Sequence, residues 1–92
     1  MRAAAVVKYL DKEKYHWTFE PKAFSITYKY KGEQVSGTYR PDFYVEELSR
    51  YLEIKGYWRD DARVKFEAFK REYPELIIEV WDGKLLKEKG IL

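Results

Sequence analysis

The period of the apolar positions changes along the chain, and each change marks an element. Ala3, Val6, Val7 and Leu10 recur at helical spacing before the charged run from Asp11 to Lys14, which predicts a short amphipathic first helix. From Trp17 the period drops to two: Trp17 and Phe19, then Phe24, Ile26, Tyr28 and Tyr30, alternate with Ser25, Thr27 and Lys29, as strands with one covered face do. Lys31-Gly32-Glu33 has the chemistry of a hairpin turn, after which Val35, Gly37 and Tyr39 alternate with Ser36, Thr38 and Arg40 in an antiparallel return. Pro41 cannot donate a ladder hydrogen bond, so a distortion is expected just before Asp42, with Phe43 and Val45 resuming the apolar series.

Glu46 to Ser49 read as a turn. Tyr51 to Lys55 follow as a strand with Leu52 and Ile54 on one face and Tyr51, Glu53 and Lys55 on the other, ended by Gly56. Asp60 or Asp61 is placed to cap a helix whose Ala62, Phe66, Phe69 and Tyr73 share one side, and Pro74 stops it. Leu76 to Trp81 is a β-rich apolar run, Asp82-Gly83 a turn, and Lys84 to Lys89 a short charged terminal helix or tail. The expected order is α-β-β-β-α-β with a small terminal element. With no repeat, low-complexity stretch or linker, residues 1–92 form one α+β domain. Its central mixed sheet has four or five strands, the first helix on one side and the Ala62 to Tyr73 helix packed against it.

Composition narrows the chemistry. No stretch approaches the roughly 18 apolar residues of a membrane span, and the first residues lack the apolar core of a secretory signal, so a soluble protein of the cytoplasm is expected, with no membrane partner. Zero cysteines exclude disulfides and thiolate metal sites, leaving oxygen ligands or the single His16, a donor set that favours a hard cation such as Mg2+. A net charge of +2 is too small to point to nucleic acid by itself.

The informative stretch is Tyr39-Arg40-Pro41-Asp42-Phe43, followed ten residues later by Glu53-Ile54-Lys55-Gly56 on the next strand. A hairpin joining the two sets Asp42 beside Glu53, and neighbouring carboxylates repel unless a divalent cation takes oxygens from both. Lys55 shares the strand face of Glu53, where it can orient or deprotonate a water or stabilise charge on a phosphorane-like transition state. The competing reading makes Asp42 a turn residue and Glu53 and Lys55 the solvated face of a strand. The Pro-Asp margin, the short hairpin and a following helix bearing Arg63, Lys65, Lys70 and Arg71 weigh for phosphodiester hydrolysis instead.

These features resemble the PD-(D/E)xK nuclease superfamily, and within it the phage Holliday-junction resolvases of the endonuclease I type. The similarity runs from about Tyr15 to Trp81. It is carried by Phe19-Glu20, the Tyr39 to Phe43 block, Leu52 to Trp58, Asp60 to Lys65 and Tyr73-Pro74-Glu75-Leu76. The resemblance implies a restriction-endonuclease-like core and a metal-dependent DNA endonuclease acting on branched DNA. Asp42 and Glu53 would hold Mg2+, with Mn2+ as substitute, the backbone carbonyl of Ile54 would be a further ligand, and Lys55 would be catalytic. The family usually adds an acid from its first helix, where this chain has Arg2-Ala3-Ala4-Ala5; either the chain lacks that ligand or another acid, such as Glu20 on a neighbouring strand, takes its place.

Arg40, Tyr57, Trp58, Arg59, Arg63 and Lys65 are the expected nucleic-acid contacts, and a homodimer would deliver two cuts. For a phage-encoded enzyme the compartment would be the host cytoplasm. The alternatives are a restriction-like, nicking or homing endonuclease on the same core, or a catalytically impaired nucleic-acid-binding module of the same fold.

Overall fold

The computed structural model describes residues 2–92. The chain runs α1 (Arg2–Lys12), β1 (Trp17–Phe19), β2 (Phe24–Tyr30), β3 (Glu33–Tyr39), β4 (Phe43–Val45), β5 (Arg50–Lys55), α2 (Asp60–Glu72), β6 (Ile78–Asp82) and α3 (Gly83–Glu88). Strands β1, β4, β5 and β6 form a mixed sheet in that order, antiparallel except for the parallel β5 and β6, which α2 connects. Strands β2 and β3 pair only with each other, from Phe24 opposite Tyr39 to Tyr30 opposite Glu33.

The α+β class, a mixed sheet, here of four strands, and the helices at Arg2–Lys12 and Asp60–Glu72 match the expectation. The order does not: five strands, not three, precede α2, and the alternating β2 and β3 series lies outside the main sheet. Two prolines mark the crossings between sheets. The chain leaves β1 at Glu20, where φ is +46°, immediately before Pro21, and it leaves β3 at Arg40, immediately before the fully buried Pro41. Each proline removes a ladder donor and biases its predecessor away from helix, so the strand breaks there.

Strand alternation covers the main sheet on both faces. On one face Phe43, Val45, Leu52 and Trp81 pack with Val6 and Leu10 of α1 and Leu86 of α3. On the other, Tyr51, Ile78 and Val80 meet Phe66, Ala68 and Phe69 of α2 together with Phe24, Ile26 and Tyr39 of the β2–β3 hairpin. Phe69 is the hub of this second cluster, with ring centroids 4.9 Å from both Phe24 and Tyr39.

The last residues of α2 also finish the hairpin. Thr27 donates its amide to Glu72 (2.9 Å), its carbonyl accepts from Arg71 (2.9 Å), and the Ser25 carbonyl accepts from the Tyr73 hydroxyl (2.8 Å). These are the outward-directed backbone groups of β2, which no strand pairs.

Asp60 and Asp61 do not cap α2. The N-cap is Arg59, without a side-chain bond, and the two aspartates occupy the first turn, where their charge opposes the positive helix end. Asp82 does cap, accepting from the Leu85 amide at 2.9 Å, so the expected Asp82-Gly83 turn is the start of α3. No helix among the described residues is long and apolar enough to cross a membrane.

Helices α1 and α3 end in the same hydrogen-bond pattern. Lys14 and Tyr15 amides bond the Asp11 and Leu10 carbonyls, as Gly90 and Ile91 bond Lys87 and Leu86. The motif needs a left-handed residue, which is Gly90 (φ +76°) in one case and Lys14 (φ +61°) in the other. A side chain in that conformation costs roughly 1–2 kcal/mol. Lys14→Gly is therefore expected to raise stability by roughly 0.5–1 kcal/mol, net of the greater unfolded-state freedom of glycine. Urea denaturation checks it, and a lower midpoint would show that Lys14 is not strained.

Candidate active site

The β4–β5 ladder assembles the site. Phe43 is the register partner of Leu52, yet the Asp42 amide also donates to the Leu52 carbonyl, at 3.0 Å. Two successive residues thus oppose one, which is the distortion anticipated next to Pro41. It frees the Asp42 side chain to accept from the Ile54 amide at 2.7 Å, fixing the carboxylate at the mouth of the strand pair. The Ile54 carbonyl, on the same strand edge as its amide, points past the start of β4.

Glu53 faces the α2 and hairpin side and is only 4% exposed, so it is not part of a solvated strand face. Its Oε1 accepts from the buried Tyr39 hydroxyl, and its Oε2 lies 3.4 Å from Lys55 Nζ. Burial, first, and then the Asp42 charge and a proton-sharing contact with Asp42 raise its pKa to about 7, against the lowering effects of the Tyr39 bond and of Lys55. Burial and the two nearby carboxylates push Tyr39 far above the usual phenol range, so it remains a donor.

Near neutrality Glu53 is therefore only about half ionised, at the point where two hard oxygen donors converge. A divalent cation relieves the same repulsion that the proton relieves, so this donor set fits one. Among the described residues no group of three His, Cys, Asp or Glu side chains gathers as a metal cage. Glu20 approaches through its backbone, donating its amide to the Asp42 carbonyl (2.7 Å), while its carboxylate lies 3.7 Å from Arg40. The structure thus brings Asp42, Glu53 and Lys55 together and leaves the Glu20 side chain engaged elsewhere.

The expected nucleic-acid contacts divide into two groups. Lys55 Nζ lies 5.2 Å from the Trp58 ring centre and the Arg63 guanidinium 6.0 Å, while Trp58 packs on Phe66 at 5.1 Å. Trp58 is thus a half-buried ring that two cations approach. Tyr57 is 78% exposed beside it, Arg59 and Arg40 are exposed, and Lys65 is half-buried. His16 stands elsewhere, bonded to Glu47 through its amide (2.7 Å) and Nδ1 (2.5 Å).

Sequence reasoning missed Tyr39 as a partner of Glu53. The available signal was that a tyrosine closing an apolar series, three residues before Asp42, must find a partner for a buried hydroxyl. The chain matches no protein-family model, and no curated protein and no solved structure is significantly similar to it.

The raised Glu53 pKa sets a pH dependence for the metal-free protein. Below the unfolded value of 4.5 the group is protonated in both states; as pH rises through about 7 the unfolded chain ionises first and stability is lost. Glu53→Gln is expected to match the wild type near pH 4 and to exceed its stability at pH 8 by on the order of 2–3 kcal/mol. Chemical denaturation at the two pH values measures this, and a pH-independent difference would mean that Glu53 is not the buried acid described.

Proposed function

We propose that the protein is a metal-dependent DNA endonuclease of the PD-(D/E)xK class, structure-specific in the manner of a Holliday-junction resolvase. The observation that carries the reading is the convergence of Asp42, the buried Glu53 and Lys55 at the mouth of one strand pair. Burying a carboxyl group next to another is costly, and a site that collects such groups beside an amine is suited to catalysis.

Asp42, Glu53 and the Ile54 carbonyl would hold Mg2+, or Mn2+ in its place. When bound, that ion supplies a water of lowered pKa and a Lewis acid at the phosphate. The remaining work belongs to the chain. Lys55 Nζ, held between Glu53 and Trp58, orients the attacking water, accepts or relays its proton and offsets charge on the pentavalent phosphorus. Tyr39 holds the Glu53 carboxylate in one orientation. Arg40, Tyr57, Arg59, Arg63 and Lys65 contact the flanking backbone and bases, and a homodimer would present two such centres to a branched substrate.

A module that binds DNA without cutting it is the second reading, favoured by the lack of a third clustered acid among the described residues. Labelled duplex, single-stranded and four-way-junction DNA incubated with Mg2+ or Mn2+ separates the two. Cutting is expected with metal only, falling at least ~100-fold in Glu53→Ala and in Lys55→Ala. Intact DNA under every condition, with binding retained, would establish the module instead.

A further inference from the structure

Beside the proposed centre, an open groove of about 590 Å³ runs between α2 and the hairpin. Arg63, Glu67 and Arg71 line it from successive turns of α2, and Tyr28, Lys29 and Gln34 line it from the hairpin. Three cations, Lys29, Arg63 and Arg71, line the groove against one lining carboxylate, Glu67, while Glu72 lies 3.7 Å from Arg71 at one end. The lining is therefore net positive.

One of these cations is already ordered. Arg71 is held by the Thr27 carbonyl at 2.9 Å, so little side-chain freedom is lost when it meets an anion. Arg63 to Arg71 spans eight residues of helix, about 12 Å. That is roughly the axial rise of three to four phosphates of one strand. An isolated anion meets one end of this row, whereas a polyanion meets both. The row is continuous with the proposed centre, because Arg63 and Lys55 share the Trp58 ring and Lys55 lies 3.4 Å from Glu53.

We propose that this groove holds the sugar-phosphate backbone of the DNA strand whose neighbouring phosphate occupies Asp42, Glu53 and Lys55. The inference rests on the nuclease reading for that phosphate. Lys29 and Arg71 extend the contacts past those named from the motif, Gln34 offers an uncharged donor, and Glu67 limits the affinity of the row.

The test uses the intact protein with a metal chelator present, so that nothing is cut, and follows fluorescence anisotropy of labelled single-stranded and duplex DNA over a salt series. Lys29→Glu reverses the charge of an exposed side chain and is expected to weaken binding about 10-fold and to lower the salt slope by about 1. Glu67→Gln is expected to tighten binding, a gain that misfolding cannot mimic. Affinity and slope unchanged in both variants would overturn the proposal, as would a wild-type protein that binds no DNA. Equal displacement of DNA by polyglutamate would overturn it too, making the groove a site for acidic peptides. Binding that depends on Lys29 without Mg2+-dependent cleavage would uphold the groove and defeat the nuclease reading; cleavage with binding indifferent to Lys29 would do the reverse.

Discussion

Glu53 is trapped by the strand that carries it. Strand β5 lies between β4 and β6 and has covered faces on both sides, so a slip of one residue would drive Leu52 out of one core and Tyr51 out of the other. Register is thus fixed by apolar burial, and the carboxyl group goes where register takes it: inside, beside Asp42 and under Tyr39. The core imposes on Glu53 an environment that its charged form resists.

The two prolines translate this constraint into geometry. Because Pro41 ends the hairpin and the next residue enters the main sheet, the chain segment Tyr39 to Asp42 delivers two different groups to one carboxyl from two different sheets. The tyrosine stabilises the charged form and the aspartate the protonated form, so the protonation of Glu53 is balanced by neighbours three residues apart.

Much of this was legible in the sequence because period and punctuation are local properties. The strand alternation, α2, the distortion at Pro41 and the nearness of the Asp42 and Glu53 side chains all follow from them. The separation of β2 and β3 into their own sheet was not legible, since alternation reports that one face is covered and not what pairs along the edges. Nor was the left-handed turn at Glu20, which carries no glycine to announce it, and which leaves that side chain with Arg40. The idle caps at Asp60 and Asp61 have the same origin: the helix begins one residue earlier than the aspartates propose, because Arg59 already occupies the extended entry position.

Three consecutive side chains, Arg71, Glu72 and Tyr73, do for β2 what a neighbouring strand would do, occupying the backbone groups at Ser25 and Thr27. They make the last turn of one helix a guard against self-assembly. Were that turn to fray, the hairpin would present an unpaired template to other copies of itself, and the first casualty would be solubility, before the core had opened.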